Sequence, residues 1–435
     1  MESNRTILFI GHAPHAVACL SNLAAMLRLR GRESIALLRG DCSQLPKTSF
    51  SEFKEIRSHE WHSRSDVEPR GLRRLARRPF RQTIRNVRMR DEVRRVLDRE
   101  RPLAMVLTTD TAFPEAMFVR VGQRLGIPAV CVQWAFSLPQ GHYDAMRAAP
   151  SAGKPRTGIA RRGMRAVAGI LDLIASHALG LSFRFRRTFG GGESRGLAVM
   201  GEAFADQFEA QGVDPARIMV TGHPMHDDLI TRDKMRSRGE VLQILGLEDE
   251  RIVLFTTQPH LHYGMLSRTE WECFTLQVCE AALLDERNRL VVKIHPRESL
   301  HEYESLLGMR QGCAIIQDMD IVSLTEAADA VVTQFSTTAL TAMGLMRPVV
   351  LANFMELSGA EFFSGIEGLS VARTPNELVL RLEELLENES TRLMACREQR
   401  QALGRYALVD GLSSERLADF IDELIREAHV RHARG

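Results

Sequence analysis

Leu290-Val-Val-Lys-Ile-His-Pro-Arg-Glu298 is an apolar, β-branched run that stops abruptly at polar groups. Past Asp318 and Asp329 the pattern returns as Val331-Val-Thr-Gln-Phe-Ser-Thr-Thr-Ala339, which leads into a helix ending before Arg347-Pro348-Val-Val350. Such runs are strands buried on both faces, and in a parallel α/β sheet their carboxyl ends open onto one crevice, where ligands bind. Two such ends in tandem, each followed by a helix start, predict a site for a phosphorylated ligand. The spacing from His295 to Ser336 leaves room for one intervening strand–helix unit, with residues 318–328 supplying its loop and helix.

The alternation extends in both directions. Thr6-Ile-Leu-Phe-Ile10 reads as a buried strand leaving at Gly11-His-Ala-Pro-His15, followed by helical periodicity over residues 16–29 and a strand at residues 34–38. Residues 81–100 form a polar helix, and the strand 104–107 ends at the tip Thr108-Thr-Asp110. A helix over residues 114–125 and a strand within 126–132 complete an open parallel sheet, the first domain. Residues 141–195 break this rhythm. Within them, Asp172 and His177 interrupt the apolar run 164–182 too strongly for a membrane span. That run reads as a buried or packed helix, the alternative being an interfacial membrane helix or part of a lipid-acceptor groove. The glycines of residues 190–196 read as a linker. Strands then restart at residues 197–200, 218–220 and 251–257, with a further strand at 369–372 and helices from Pro375 onward. The organisation expected is residues 1–195 as a first domain with a basic, amphipathic insert, 196–375 as a second, and 376–435 as C-terminal helices.

The length of 435 residues suits two well-buried cores, and the net charge of +2 is ordinary for a globular protein. The distribution of charge is not. Thirteen arginines lie between Arg70 and Arg101, and a second basic cluster runs from Lys154 to Arg187. A solvated helical face accounts for such a run; an anionic lipid surface or anionic glycan is the other partner it suits. Nucleic acid is not expected, since neither aromatic interleaving nor a recognition motif accompanies the arginines. The seven cysteines form neither a CxxC pair nor a zinc spacing, which fits a reducing compartment. With charged Arg5 leading directly into a strand rather than a secretory signal, the cytoplasm is expected, with contact at the inner membrane face as an extension.

His295 stands where Pro296 cuts its strand short, so its imidazole can donate to a diphosphate or a departing phosphate; capping of the loop is the plainer role. Lys293 alternates with it and shares its face. Ser336, Thr337 and Thr338 sit at a helix start, where hydroxyls serve as caps and where free amides also hold anions.

Val220-Thr-Gly-His-Pro-Met-His-Asp227, Lys293-Ile-His-Pro296, Ser336-Thr-Thr-Ala-Leu-Thr-Ala-Met343 before Arg347-Pro348, and Asp410-Gly411 together resemble the nucleotide-sugar half of GT-B proteins. The nearest groups are UDP-N-acetylglucosamine 2-epimerase-like proteins and capsule or surface-polysaccharide glycosyltransferases. The resemblance covers residues 197–425. It implies an α/β GT-B fold of two Rossmann-like domains with parallel sheets facing across a cleft. It assigns His295, Ser336, Thr337 and Thr338 to the donor phosphates, and places Gly222, His223, Thr257, Gln258 and Lys293 at the cleft. Many GT-B proteins hold the nucleotide ribose with a glutamate in the helix after the Ser/Thr motif; Thr341 stands there, and Glu356 is the substitute considered. The catalytic carboxylates of the epimerases are not matched, which favours transfer. A base must then come from first-domain strand ends, and the candidates are Asp110, His15 and Glu115, with His12 and His142 behind them.

The activity expected is a metal-independent, inverting glycosyltransferase with a nucleotide-sugar co-substrate, no other cofactor, and a surface-glycan or lipid-linked acceptor. The alternatives are a sugar-nucleotide epimerase or hydrolase, a polyol-phosphate transferase of the teichoic-acid type, and a non-catalytic nucleotide-sugar-binding protein.

Overall fold

The computed structural model describes residues 5–11, 14–39, 50–59, 80–134, 136, 170–181, 190–232, 235–355, 363 and 366–434. Its first sheet holds β1 (Thr6–Gly11), β2 (Glu33–Arg39), β3 (Glu55–His59), β4 (Ala104–Leu107), β5 (Ala129–Val132), β6 (Gly196–Val199) and β7 (Ile218–Val220). The strand order is β3-β2-β1-β4-β5-β6-β7, and each neighbouring pair is parallel. Order reverses between β1 and β4, so the crevice beyond their carboxyl ends is the binding position of this half.

The second sheet holds β8 (Arg251–Thr256), β9 (Asn288–Lys293), β10 (Cys313–Ile316), β11 (Ala330–Thr333), β12 (Val349–Ala352) and β13 (Ser370–Ala372), in the order β10-β9-β8-β11-β12-β13. It is parallel throughout. Its reversal lies between β8 and β11, which brings the ends of the two opening motifs beside the exit of β8. The edge strands β3 and β10 carry weak sequence signals, because an edge strand needs no long apolar run: Glu55 and Ile56 are exposed, and all four residues of β10 are half-buried.

The domain boundary expected at 195/196 falls inside the first sheet. Strand β6 pairs with β5 from Val130↔Gly196 onward, and β7 pairs with β6. The break in rhythm before residue 196 is therefore an insertion between two adjacent strands, not the passage from one sheet to the next. Of the apolar run 164–182, residues 170–181 are described, and they are not buried as a packed helix would be: Ile170, Leu171, Leu173, Ile174 and Leu179 are exposed. Asp172 ties this segment to the start of the helix Arg81–Glu100 by accepting from the Gln82 and Thr83 amides at 2.9 and 2.8 Å. Among the described residues no helix is long and apolar enough to cross a membrane.

The C-terminal helices do not form a unit of their own. Helix Pro375–Glu387 buries Leu378, Leu382 and Leu385 against the second sheet. Helix Ser413–Arg434 returns to the first, where Leu417, Ile421 and Leu424 join Ile7, Phe9 and Leu23 in one core. A further core runs continuously from Leu197 and Phe204 to Val331 and Met343, joining the two halves through apolar contact.

Candidate active site

Strand β1 is buried along its whole length and stops at Gly11, where a Cβ would meet Val17 Cγ2 at 2.5 Å. That close approach folds the short helix Pro14–Ala18 back onto the strand end, with half-buried His15 at its second position. Trp134 stands just past β5, its ring centroid 5.3 Å from that of His15. From the other sheet, His295 stands just past β9, and the two imidazole centroids are 5.9 Å apart at an interplanar angle of 80°. One strand end from each sheet thus contributes a histidine to the same point.

The orientation of His295 is fixed by its own loop. Its amide donates to Thr257 Oγ1 at 2.9 Å, and its Nδ1 accepts from the Arg297 amide at 3.1 Å. A ring whose Nδ1 is an acceptor carries its proton on Nε2, so neutral His295 is a hydrogen-bond donor at Nε2. It is neutral: burial, then the neighbouring charges of His15, Arg297, Lys293 and His260, push its pKa down to about 3. Behind it, Thr257 Oγ1 donates to Glu298 Oε2 at 2.5 Å, the Tyr303 hydroxyl donates to Glu298 Oε1 at 2.9 Å, and Trp271 Nε1 donates to that hydroxyl at 3.2 Å. Burial raises the Glu298 carboxyl above its ordinary range. Gln317 Nε2 adds bonds to the carbonyls of His295 and Glu298, both at 3.1 Å.

Lys293 is drawn elsewhere. Its ammonium donates to the carbonyls of Gln317 and Ile294, and burial lowers its pKa to about 8. It supports the end of β10 through these bonds. At the reversal point of the second sheet, Gln258 Nε2 donates to the Phe335 carbonyl, and buried Gln258 Oε1 has no partner among the described residues. Ser336, Thr337 and Thr338 are half-buried at the start of the helix Thr338–Gly344. There the Thr338 amide donates to Ser336 Oγ at 3.2 Å, and the two hydroxyls are 3.1 Å apart. Thr341 is fully buried in that helix. Glu356 lies outside the described residues, as do His12 and His142.

Of the three proposed bases, His15 alone meets His295. Asp110 is fully buried and accepts from Ser194 Oγ at 2.6 Å and the Ser194 amide at 3.3 Å, with Arg217 Nη2 at 3.5 Å. It ties the segment before β6 to the tip of β4. Glu115 is also fully buried, in the first turn of the helix Glu115–Arg124. Gly222 and His223 form the junction that receives the last helix. Gly222 has φ +77° and faces Ser413 Oγ; His223 Nδ1 accepts from the Met225 amide at 3.1 Å; and Asp227 accepts from the Ser413 and Ser414 amides at 2.9 and 2.8 Å.

Four contributors were not singled out from the sequence: Trp134, His260, Tyr263 and Arg297. His260 lies against Phe335, with ring centroids 5.6 Å apart. The Arg297 guanidinium is 5.8 Å from the Trp134 ring centroid and 5.9 Å from that of Tyr263, and its Nη1 donates to the Tyr263 hydroxyl. The strand-end rule applied to β5 and β8, as it was to β9 and β11, points to Trp134 and His260; Tyr263 has no comparable signal.

Residues 198–423, just over half of the chain, match the model of the family described as CDP-glycerol:poly(glycerophosphate) glycerophosphotransferase. The chain belongs to this family. The matched region of this glycerophosphotransferase-family protein includes Thr257, His295 and Ser336, whereas His15 and Trp134 precede it. Among curated proteins none matches the chain. Solved structures show the fold to be GT-B. UDP-N-acetylglucosamine 2-epimerase from Neisseria meningitidis, bound to UDP-GlcNAc, is 12% identical with a TM-score of 0.59, covering 96% of this chain and 99% of its own. The corresponding epimerase of Methanocaldococcus jannaschii, with UDP-GlcNAc and UDP, is 15% identical at 0.60, with the same coverage of 96% and 99%. The calicheamicin glycosyltransferase CalG4 is 15% identical at 0.56, covering 98% and 99%.

Proposed function

We propose that this protein transfers a glycerol-phosphate unit from CDP-glycerol to the terminal hydroxyl of a polyol-phosphate chain, with His15 as general base and His295 as donor to the phosphoryl group. Family membership supports this polyol-phosphate chemistry over the sugar transfer expected first from the sequence. The observation that carries the residue assignment is the facing pair of imidazoles, 5.9 Å apart, one from each sheet.

In this reading the acceptor hydroxyl attacks the glycerol-side phosphorus in line with the bridging oxygen. The new O–P bond forms as the P–O bond to CMP breaks, and its electron pair leaves with CMP. The hydroxyl proton passes to His15. His295 cannot serve as base at Nε2, because the Arg297 amide occupies its Nδ1 and keeps the proton on Nε2. It supplies a neutral, oriented N–H to a phosphoryl oxygen, where charge develops. Ser336, Thr338 and the amides at the start of their helix hold the diphosphate on the departing side. Phosphoryl transfer of this kind depends on position and electrostatics more than on covalent chemistry.

The test is to incubate the full chain with labelled CDP-glycerol and a short glycerophosphate oligomer, following CMP release and oligomer length. Acceptor-dependent CMP release is expected. His15→Ala should lower kcat by about 10²–10⁴-fold while CDP-glycerol binding persists. Consumption of UDP-sugars in the same assay, with CDP-glycerol left intact, would return the reading to sugar chemistry.

A further inference from the structure

We propose that Arg297, framed by Trp134 and Tyr263, binds the last phosphodiester of the acceptor chain and thereby sets its reacting hydroxyl against His15. The choice of ligand rests on the transfer reading above; the anion-binding character of the subsite rests on the residues themselves.

Arg297 follows His295 by two positions, so the bond from its amide to His295 Nδ1 fixes where its side chain starts. From there the guanidinium reaches across to the first sheet, 5.8 Å from the Trp134 centroid, while Tyr263 flanks it at 5.9 Å. The Trp134 ring holds the guanidinium through its charge and leaves in-plane N–H groups free to pair with an anion. One of the five donors is taken by the Tyr263 hydroxyl. Among the described residues no carboxylate forms a salt bridge with Arg297, whereas many of the chain's arginines are so paired, Arg416 with Asp410 and Arg287 with Asp285 among them. An arginine held between the Trp134 ring and the Tyr263 hydroxyl, with no carboxylate partner among the described residues, is suited to a phosphate, which a guanidinium binds through two parallel bonds.

The position selects the acceptor rather than the donor. Trp134 touches both Arg297 and His15, so the anion held there lies on the side of the base. The departing side is the one lined by Ser336 and Thr338. A glycerophosphate chain carries one negative charge per unit, so the hydroxyl that reacts is always one glycerol away from a phosphodiester. Arg297 would grip that group, and free glycerol would lack it.

The test uses the full chain and a diglycerol phosphodiester as probe, with binding measured by calorimetry in the absence of donor. Arg297→Gln should weaken the probe at least about tenfold, in line with loss of a charge-assisted bidentate pair. Arg297→Lys should weaken it by less, and CMP affinity should stay within about twofold in both variants. In turnover, the acceptor KM should rise and the CDP-glycerol KM should not. Probe binding indifferent to Arg297 would overturn the proposal, as would a parallel loss of CMP affinity, which would move Arg297 to the donor. If Arg297→Gln fails to fold, by its melting curve, Arg297→Lys decides on the same two criteria. Arg297-dependent probe binding without any turnover of CDP-glycerol would count against the transfer reading and leave the subsite standing.

Discussion

His295 and Asp110 show how the same kind of position takes opposite tasks. Both follow a strand end, yet the His295 ring meets that of His15 from the other half of the protein, while the Asp110 carboxylate is bound by Ser194 and faces Arg217 inside its own half. Replacing Asp110 by Ala should therefore cost about 1–3 kcal/mol of stability, since it strands Ser194 and Arg217, with little change in kcat of the folded fraction. A urea titration alongside the CMP-release assay checks this; a stable but inactive variant would restore Asp110 as a catalytic candidate. With its pKa at about 3, His295 stays neutral and a donor across the working range. The acid limb of the kcat/KM profile is then set by the proposed base, and the rate falls as pH falls. In His15→Ala that inflection should vanish and leave a flat residual rate; its persistence would assign the base elsewhere.

The loop Thr221–Asp227 is an element whose sequence resembles a binding motif and whose packing shows a joint. Gly222 adopts φ +77°, and a Cβ there would lie 2.4 Å from Ser413 Oγ and 3.1 Å from the Leu408 carbonyl. Thr221 Oγ1 donates to the Gly222 carbonyl at 2.8 Å, and the Thr221 carbonyl accepts from Arg416 Nε at 2.9 Å. Gly222→Ala should destabilise by more than about 1 kcal/mol, because both the positive φ and the contact are violated. Its effect should also spread to the final helix. Hydrogen exchange over residues 413–434 measures this, and unchanged protection there would mean that the joint does not hold the helix. The helix is secured independently by Arg30, which bonds Asp419 at 2.7 Å and Asp422 at 3.2 Å.

That joint ties the two halves together, and it contains two deeply buried imidazoles. His223 and His226 are both buried, and among the described residues neither ring nitrogen of His226 has a hydrogen-bond partner. Burial pushes their pKa values down to about 3 and about 4. Unfolded histidines titrate near 6.5, so between there and the folded values the unfolded chain binds protons that the native one does not. The contribution to stability is complete above about pH 6.5 and is lost as pH falls toward 4 for His226 and toward 3 for His223. The urea midpoint should drop between pH 7 and pH 4.5, and His226→Gln should make that drop shallower. An identical pH slope in the variant would show that carboxylates alone govern acid unfolding.

Much of the architecture was legible because buried parallel strands leave a strong local signal. The runs at residues 6–10, 104–107, 251–257 and 290–293 are apolar enough to be read one by one, and polar residues mark their carboxyl ends. His295 and the Ser336–Thr338 hydroxyls were visible by the same rule. Pairing was not legible, because hydrogen bonds between strands join residues far apart in the chain. Strands β6 and β7 belong to the first sheet although an insertion of some sixty residues precedes them, and the last helix closes a core begun at Ile7. The partner of His295 was decided in the same way. Local sequence made His15, Asp110 and Glu115 equal candidates, and only the approach of one sheet's strand ends to the other's brought His15 and Trp134 up to His295 and Arg297. A strand end is a property of its own few residues; which strand ends meet is a property of how two cores are joined.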